Sequence, residues 1–340
     1  MKANISFATF NLYNLNLPEK TMYGNSKWTQ EQYDLKIDWT SKMIKDMGST
    51  VWGFQELWDS DVLHEVFKKS DVMDQYDLLA PPNHNGGSIA CAAAVKKGIL
   101  VEAPEWITDF HENFRMDSGG DDDKTSAISV KINKFSRPVL KFKIKPHPES
   151  SPITVFVAHF KSKRPTWLSR EDWYKENVDF YKKHNTSLGY AISTIRRTAE
   201  AAALRMLIIE EIKHNDSPLI VIGDLNDSQL SNTLNVLTGQ PNYLLSGLSQ
   251  GGSDTGLYSV GTLQEYRSLR DVYYTHIYQN IRESLDHILV SQEFYDNSRK
   301  RVWAYEGTEI INDHLNNNDH KNKGTSDHGI VKSTFEYNPI

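Results

Sequence analysis

Three stretches of the chain place titratable or amide side chains where an apolar run stops. In Ser217-Pro-Leu-Ile-Val-Ile-Gly-Asp-Leu-Asn-Asp-Ser-Gln229, the apolar residues 219–222 lie between Pro218 and Gly223, and Asp224 and Asn226 follow. Such a run reads as a strand buried on both faces. The two-residue period of a strand then sends 224 and 226 to the same side. A carboxylate and a carboxamide projecting together from the rim of a sheet make a catalytic floor. Asp, Asn and Gly are also ordinary turn residues, so this stretch alone divides evenly between a floor and an Asx turn. The second stretch, residues 153–165, is a branched apolar strand ending at His159 and followed by Lys161, Lys163 and Arg164. A lone histidine is usually a satisfied polar group. One that caps a buried strand ahead of three cations suits the grip of an anionic oxygen, most naturally a phosphate. The third stretch, residues 50–57, runs through Val-Trp-Gly-Phe into Gln55 and Glu56. A surface glutamate is far commoner than a metal ligand, but it rarely ends so apolar a strand.

The same event recurs at six places: an apolar strand begins or ends at Asn11, Glu56, His159, the Asp224/Asn226 pair, Asp286, or the Asp327/His328 pair. Sheets fix residues at strand ends and loops expose them, so chemistry gathers there. Six coincidences are harder to assign to turns than one. Carboxylates without cysteine favour a hard cation, Mg²⁺ or Mn²⁺, over zinc. Histidines and amides beside it can activate water and hold phosphoryl oxygens.

In this order, Phe10-Asn11, Gln55-Glu56, Ala158-His159, Gly223-Asp-Leu-Asn226, Leu285-Asp286 and Ser326-Asp-His328 give a chain that resembles the endonuclease/exonuclease/phosphatase superfamily, the deoxyribonuclease I-like fold, over nearly its whole length. The resemblance implies an α/β fold, a four-layer α/β/β/α sandwich of two packed mixed sheets flanked by helices, with the site at one edge. It implies Glu56 as main metal ligand, helped by Asn11 and Asp327. His328 would be the general base, oriented and held charged by Asp286. Asp224 and Asn226 would position the water and the phosphoryl group, and His159 would stabilise charge developing on phosphate. His287 is assigned no role. The residues that some of these nucleases carry between Glu56 and His159 to grip substrate are not identifiable.

The elements that must hold these groups are legible in part. Apolar positions over residues 30–47 have helical spacing and stop at Gly48, a usual C-terminal signal. Residues 194–214 read as a second long helix. Arg197 and Glu200 on it have i, i+3 spacing, which predicts a local ion pair. Residues 127–145 read as two paired strands. Lys141, Lys143 and Lys145 share one strand face, either a solvent edge guarded by lysines or a stripe facing a polyanion. Residues 166–190 hold Trp167, Trp173, Tyr174, Phe180 and Tyr181, for which packing is favoured over base stacking. Asp121, Asp122 and Asp123 lack the EF-hand spacing and read as a solvated turn. Residues 246–262 read as a loop.

The 340 residues, 39% hydrophobic and 24% charged, form ordinary globular composition, read here as a single domain over residues 1–340. The formal charge of -6 means that a polyanion must be met by a local patch or through a metal. Cys91 is the one cysteine and sits in a small apolar run, as a buried thiol does. No apolar run is long enough to span a membrane and no leader precedes the first strand, so the expectation is a cytoplasmic monomer. The first functional reading is a metal-dependent DNA endonuclease of low sequence specificity, gripping the phosphate backbone through Lys161, Lys163, Arg164, Arg196, Arg197 and the 141–145 stripe. The second is a phosphoesterase for an inositol phosphate, a phospholipid headgroup or a nucleotide. A non-catalytic binding module on the same scaffold is the third and weakest, because no expected chemical residue is missing.

Overall fold

A computed structural model describes residues 3–120, 125–243, 251–268 and 273–340. The three aspartates read as a solvated turn lie outside the described residues. The chain opens with β1 (Asn4–Leu15), α1 (Gln30–Met47), β2 (Val51–Asp59), α2 (Ser60–Lys69), β3 (Tyr76–Leu79), β4 (Asn85–Lys96) and β5 (Leu100–Asp109). A small pair, β6 (Asp117–Ser118) and β7 (Ile128–Ser129), precedes β8 (Lys134–Ile144) and β9 (Ile153–His159). Short helices α3 (Asp172–Glu176) and α4 (Val178–Tyr181) lead to α5 (Asn185–Ile212), β10 (Leu219–Asp224) and α6 (Asn232–Thr238). Then come β11 (Tyr258–Ser259), α7 (Val260–Arg267), the hairpin β12 (His276–Tyr278) and β13 (Ile281–Glu283), and β14 (Asp286–Val290). The last elements are β15 (Trp303–Ile311), α8 (His320–Lys323) and β16 (Ile330–Tyr337).

Two mixed six-stranded sheets form, in the orders β15-β16-β1-β2-β4-β3 and β11-β14-β10-β9-β8-β5. Strand alternation divides each apolar run between two cores. Ile5, Phe7 and Val51 meet Val155, Val157, Ile220 and Ile222 between the sheets. Ala8, Phe10, Trp52 and Phe54 face Ile37, Ile44, Val62 and Phe67 of α1 and α2 on the other side. Leu219 and Val221 pack outward on Ala199, Leu204 and Ile208 of α5. Each buried Val, Leu, Ile or Phe among them contributes roughly 1.5–3 kcal/mol relative to leaving it in water. The layers are therefore helix, sheet, sheet, helix, the expected four-layer sandwich. Helix α1 starts at a reciprocal cap, Gln32 N to Thr29 Oγ1 and Thr29 N to Gln32 Oε1, both 3.2 Å, and ends at left-handed Gly48. Cys91 is fully buried, and burial pushes its thiol up to about 12. Among the described residues, no helix is long and apolar enough to cross a membrane.

Several expectations are corrected. Residues 127–145 are not a hairpin: β7 pairs with β6, and β8 is one long strand between β5 and β9. Two of the three stripe lysines are paired, Lys141 with Glu211 and Lys143 with Glu102 and Glu211. The stripe also lies at the wrong end, because Ile144 pairs with Ile153 at the start of β9 while His159 stands at its finish. Helix α5 begins at Asn185, well before residue 194, in a stretch poor in helix formers. It is held there by packing so close that a Cβ at Gly189 would lie 2.6 Å from the Thr166 carbonyl. Trp167, Phe180 and Tyr190 are exposed, so much of the 166–190 aromatic content is not packing. Residues 258–262 belong to β11 and α7 rather than to a loop.

Candidate active site

Register explains why the six strand ends converge. In parallel β1 and β2, Asn11 stands opposite Gln55, one residue from Glu56. In parallel β9 and β10, His159 stands opposite Asp224, and in antiparallel β10 and β14 Asp224 faces Asp286. His328 leads into β16 and bridges His276. One rim of the two packed sheets thus carries Asn11, Glu56, His159, Asp224, Asp286 and His328.

The floor is buried and tightly bonded. His328 Nδ1 lies 2.8 Å from Asp286 Oδ2, its Nε2 3.8 Å from Asp224 Oδ2, and His159 Nε2 3.4 Å from that same oxygen. Burial opposes charge on His328, but Asp286, Asp224 and Asp327 overcome it and hold the imidazole well above its ordinary value. His159 goes the other way: burial, then Arg137 and His328, hold it well below, so it is neutral. Asp224 is pushed up to about 7, first by burial. Asn11 Nδ2 donates to Asp224 Oδ2 at 3.1 Å, and its Oδ1 accepts from Tyr13 N. Asn226 does not continue the strand. Its φ is +55°, its N–H bonds Asp224 Oδ1 at 3.0 Å, and its amide donates to Phe160 O at 3.1 Å. The stretch is thus an Asx turn at a buried rim, which joins both sequence readings. Gly223 before it is required by contact, since a Cβ there would sit 1.9 Å from the Ala158 carbonyl oxygen.

Glu56 occupies a left-handed backbone position, φ +62°, where the β2–β4 register slips. Such a position costs a non-glycine residue energy and aims the side chain off the pleat. Asn14 N donates to Glu56 Oε2 at 2.9 Å, and Trp58 Nε1 and Trp28 Nε1 hold Asn14 in turn. Burial raises the Glu56 carboxyl, and Asp327 raises it further. Asp327, His328 and His276 each offer a ligand atom within 4.8 Å of the others, as do Asp224, Asp286 and His328. Asp286 Oδ1 is buried without a hydrogen-bond partner among the described residues. Crowded carboxylates, an orphaned oxygen and imidazoles with no thiol suit a hard divalent cation.

A cleft of about 890 Å³ opens over this floor, lined among others by Glu56, Arg137, His159, Lys161, Asp327 and His328. Its cations differ in their partners. Lys163 bonds Glu283 at 2.8 Å and faces Asp227 at 3.6 Å. Arg197 is buried, bonded to Asp227 Oδ2 at 3.2 Å and to the Lys161 carbonyl. The predicted Arg197–Glu200 pair does not form, because Glu200 instead accepts the backbone N–H groups of Ser136 and Lys161 at 2.8 and 2.7 Å. Arg137 donates to the Phe160 carbonyl, Lys161 to that of Arg164, and Arg164 lies over Trp167. Burial and Arg137 lower Lys161 to about 8. Arg137 of β8 also lines the cleft, and no local pattern in the sequence sets it apart from the neighbouring cations. His276, Asn14, Tyr23 and Tyr278 also line the cleft without a sequence signal, each coming from a loop or an element edge, as does Tyr190 from the first turns of α5. His287 is buried behind the floor, its Nε2 2.9 Å from the Asp227 carbonyl.

A sequence model described as the Endonuclease/Exonuclease/phosphatase family matches residues 8–328. No curated protein sequence matches the chain. Solved structures share the fold. The endonuclease/exonuclease/phosphatase from Bacteroides vulgatus is 14% identical with a TM-score of 0.54, covering 99% of this chain and 100% of that one. The human Nocturnin catalytic domain with bound sulfate anion is 14% identical with a TM-score of 0.57, covering 99% and 96%. A truncated TDP2 from Caenorhabditis elegans is 12% identical with a TM-score of 0.55, covering 98% and 97%.

Proposed function

The chain belongs to the endonuclease/exonuclease/phosphatase family of hydrolases, which use divalent metals, and from that premise we propose that it hydrolyses phosphodiester bonds, acting as a single-domain DNA endonuclease of low sequence specificity. The observation that carries the reading is the buried Asp286–His328 pair, 2.8 Å apart, beneath a cleft whose Arg137 and Lys161 bond only backbone and hydroxyl oxygens among the described residues. Glu56 and Asp327 would hold Mg²⁺ or Mn²⁺, with Asn11 and His276 adjoining. When bound, the ion supplies charge to offset the phosphoryl oxygens and acidifies water.

The chain's own groups divide the remaining work. Asp286 accepts from His328 Nδ1 and turns Nε2 toward the cleft, where it takes a proton from the attacking water. Asp286, Asp224 and Asp327 stabilise the imidazolium so formed, and the neutral imidazole that accepts the proton becomes populated as pH rises. Asp224, between the two histidines, orients the water. Neutral His159, Arg137 and Lys161 face the phosphoryl oxygens as charge develops on them. Asn226, which also lines the cleft, ties the floor to Phe160 through Nδ2 and helps position the phosphoryl group.

A second reading, a phosphoesterase for a small phosphorylated substrate, gains from one finding. Lys163, Arg197, Lys141 and Lys143 are engaged by carboxylates, so fewer cations remain to follow a long polyanion. Nicking of supercoiled plasmid with Mg²⁺, Mn²⁺ and EDTA separates the two. Metal-dependent nicking supports the endonuclease. Its absence from a folded, metal-supplied protein that still cleaves small phosphoesters overturns the DNA reading in favour of the second.

A further inference from the structure

Helix α1 carries a lysine where its buried face calls for an apolar residue. Tyr33, Lys36, Ile37, Thr40 and Ile44 all point inward, and Lys36 is 0% exposed. A buried ammonium is costly unless bonded, and burial lowers this one to about 7 against the pull of Asp327 and Glu56. Its partners are specific. Nζ donates to the Thr325 carbonyl at 3.0 Å and lies 5.7 Å and 5.4 Å from the ring centroids of Tyr13 and Trp39. No carboxylate of the described residues forms an ion pair with it, so the lysine is committed to a backbone carbonyl two residues before Asp327.

The rest of that turn leans on the same helix. Gly324 is left-handed, φ +66°, and presses on α1 so closely that a Cβ would lie 2.4 Å from the Leu35 carbonyl carbon and 2.5 Å from Lys36 N. Trp39 packs edge-on against His314, 4.9 Å between centroids, and His314 Nε2 lies 2.8 Å from the His328 carbonyl. From the sheet side, Ser326 Oγ donates to the Asn11 carbonyl at 2.8 Å and accepts from His328 N. The 324–328 turn is thus gripped between β1 and α1, and Lys36 is the hydrogen-bonding clamp on the helix side.

We propose that Lys36 is a positioning residue of the hydrolytic site, which fixes the turn bearing Asp327 and His328 so that Asp327 and Glu56 face a divalent cation together. The inference rests on the reading of those two carboxylates as cation ligands. Groups that orient a metal ligand from behind typically change metal affinity about 10–100-fold when lost.

The test is calorimetric titration of the whole protein with Mn²⁺, alongside thermal melting, for wild type, Lys36→Met and Gly324→Ala. Methionine fills the space without the donor or the charge. Because a buried ammonium is itself destabilising, Lys36→Met is expected to melt at or above the wild-type temperature. It should nonetheless bind Mn²⁺ about 10–100-fold more weakly, and Gly324→Ala, which lifts the turn off an intact Lys36, should lose affinity in the same direction. Wild type that binds no Mn²⁺ overturns the ligand reading and the inference with it. Wild type that binds, with both variants matching its affinity, overturns the inference alone. So does a Lys36→Met protein that melts far lower yet binds Mn²⁺ normally, since Lys36 would then be structural only.

Discussion

The floor of the cleft and its cationic wall are built from neighbouring strands, yet they are made in opposite ways. Floor residues are strand-end side chains set by register, and their partners are one another: Asp286 with His328, Asp224 between two histidines, Asn11 on Asp224. Wall cations sit on β8 and on the 161–197 segment and take whatever partners the fold brings to them. Lys163 finds Glu283, Arg197 finds Asp227, and only Arg137, Lys161 and Arg164 are left to carbonyls, a hydroxyl and a ring. Charge in the floor is arranged among the floor's own side chains. Part of the charge in the wall is already met by carboxylates, so the number of cations near a site overstates its grip on an anion.

That contrast sets the order of expected effects. Replacing His328 with Ala should cut turnover by about 10²–10⁴-fold with little change in KM, because it removes the proton acceptor but no ground-state contact. Asp286→Asn should cost less, about 10²-fold, since the imidazole remains but loses its orienting carboxylate; steady-state rates across pH would check both, and full activity in the Asn protein would break the floor account. In the wall, Arg137→Ala should raise KM about 10–100-fold, the worth of a charged hydrogen bond, about 1.5–3 kcal/mol. Lys163→Ala should change KM by less than about threefold, because Glu283 and Asp227 already meet its charge. Equal losses at 137 and 163 would erase the distinction between free and captured cations.

A smaller effect lies away from both regions. Glu293 is buried, accepts from Ser291 Oγ at 2.5 Å, and is pushed up to about 7 by burial. Its folded value exceeds the unfolded one near 4.5, so the folded state binds the extra proton and stability falls as pH rises from about 4.5 to about 7. Glu293→Gln should therefore stabilise the fold at pH 8 by on the order of 1–2 kcal/mol, read as a higher melting temperature, and hardly at pH 4.5, with turnover untouched. A gain that is the same at both pH values would contradict the assignment.

How much was legible in the sequence follows the same line. The layers and the floor could be read because Leu219, Ile220, Val221 and Ile222 mark a two-sided strand by themselves, and whatever follows a strand lies at the rim. The wall could not, because Lys163 and Glu283 are separated by 120 residues and no local pattern announces the pair. Arg197 and Glu200 show the risk directly: spacing alone joins them, while the fold offers each a better partner across the sheet edge. Arg137 was visible only as one cation among several, until β8 set it beside β9. Lys36 reads as a surface lysine in any helix whose packed face is not yet known.

The most direct test of the central claim leaves substrate identity aside. Hydrolysis of a small activated phosphodiester, bis-p-nitrophenyl phosphate, would be followed for wild type and His328→Ala with Mg²⁺, with Mn²⁺ and with EDTA. The account predicts release of nitrophenol that needs the metal and is lost in the His328→Ala protein. Release that persists in EDTA, or that His328→Ala leaves intact, would contradict it.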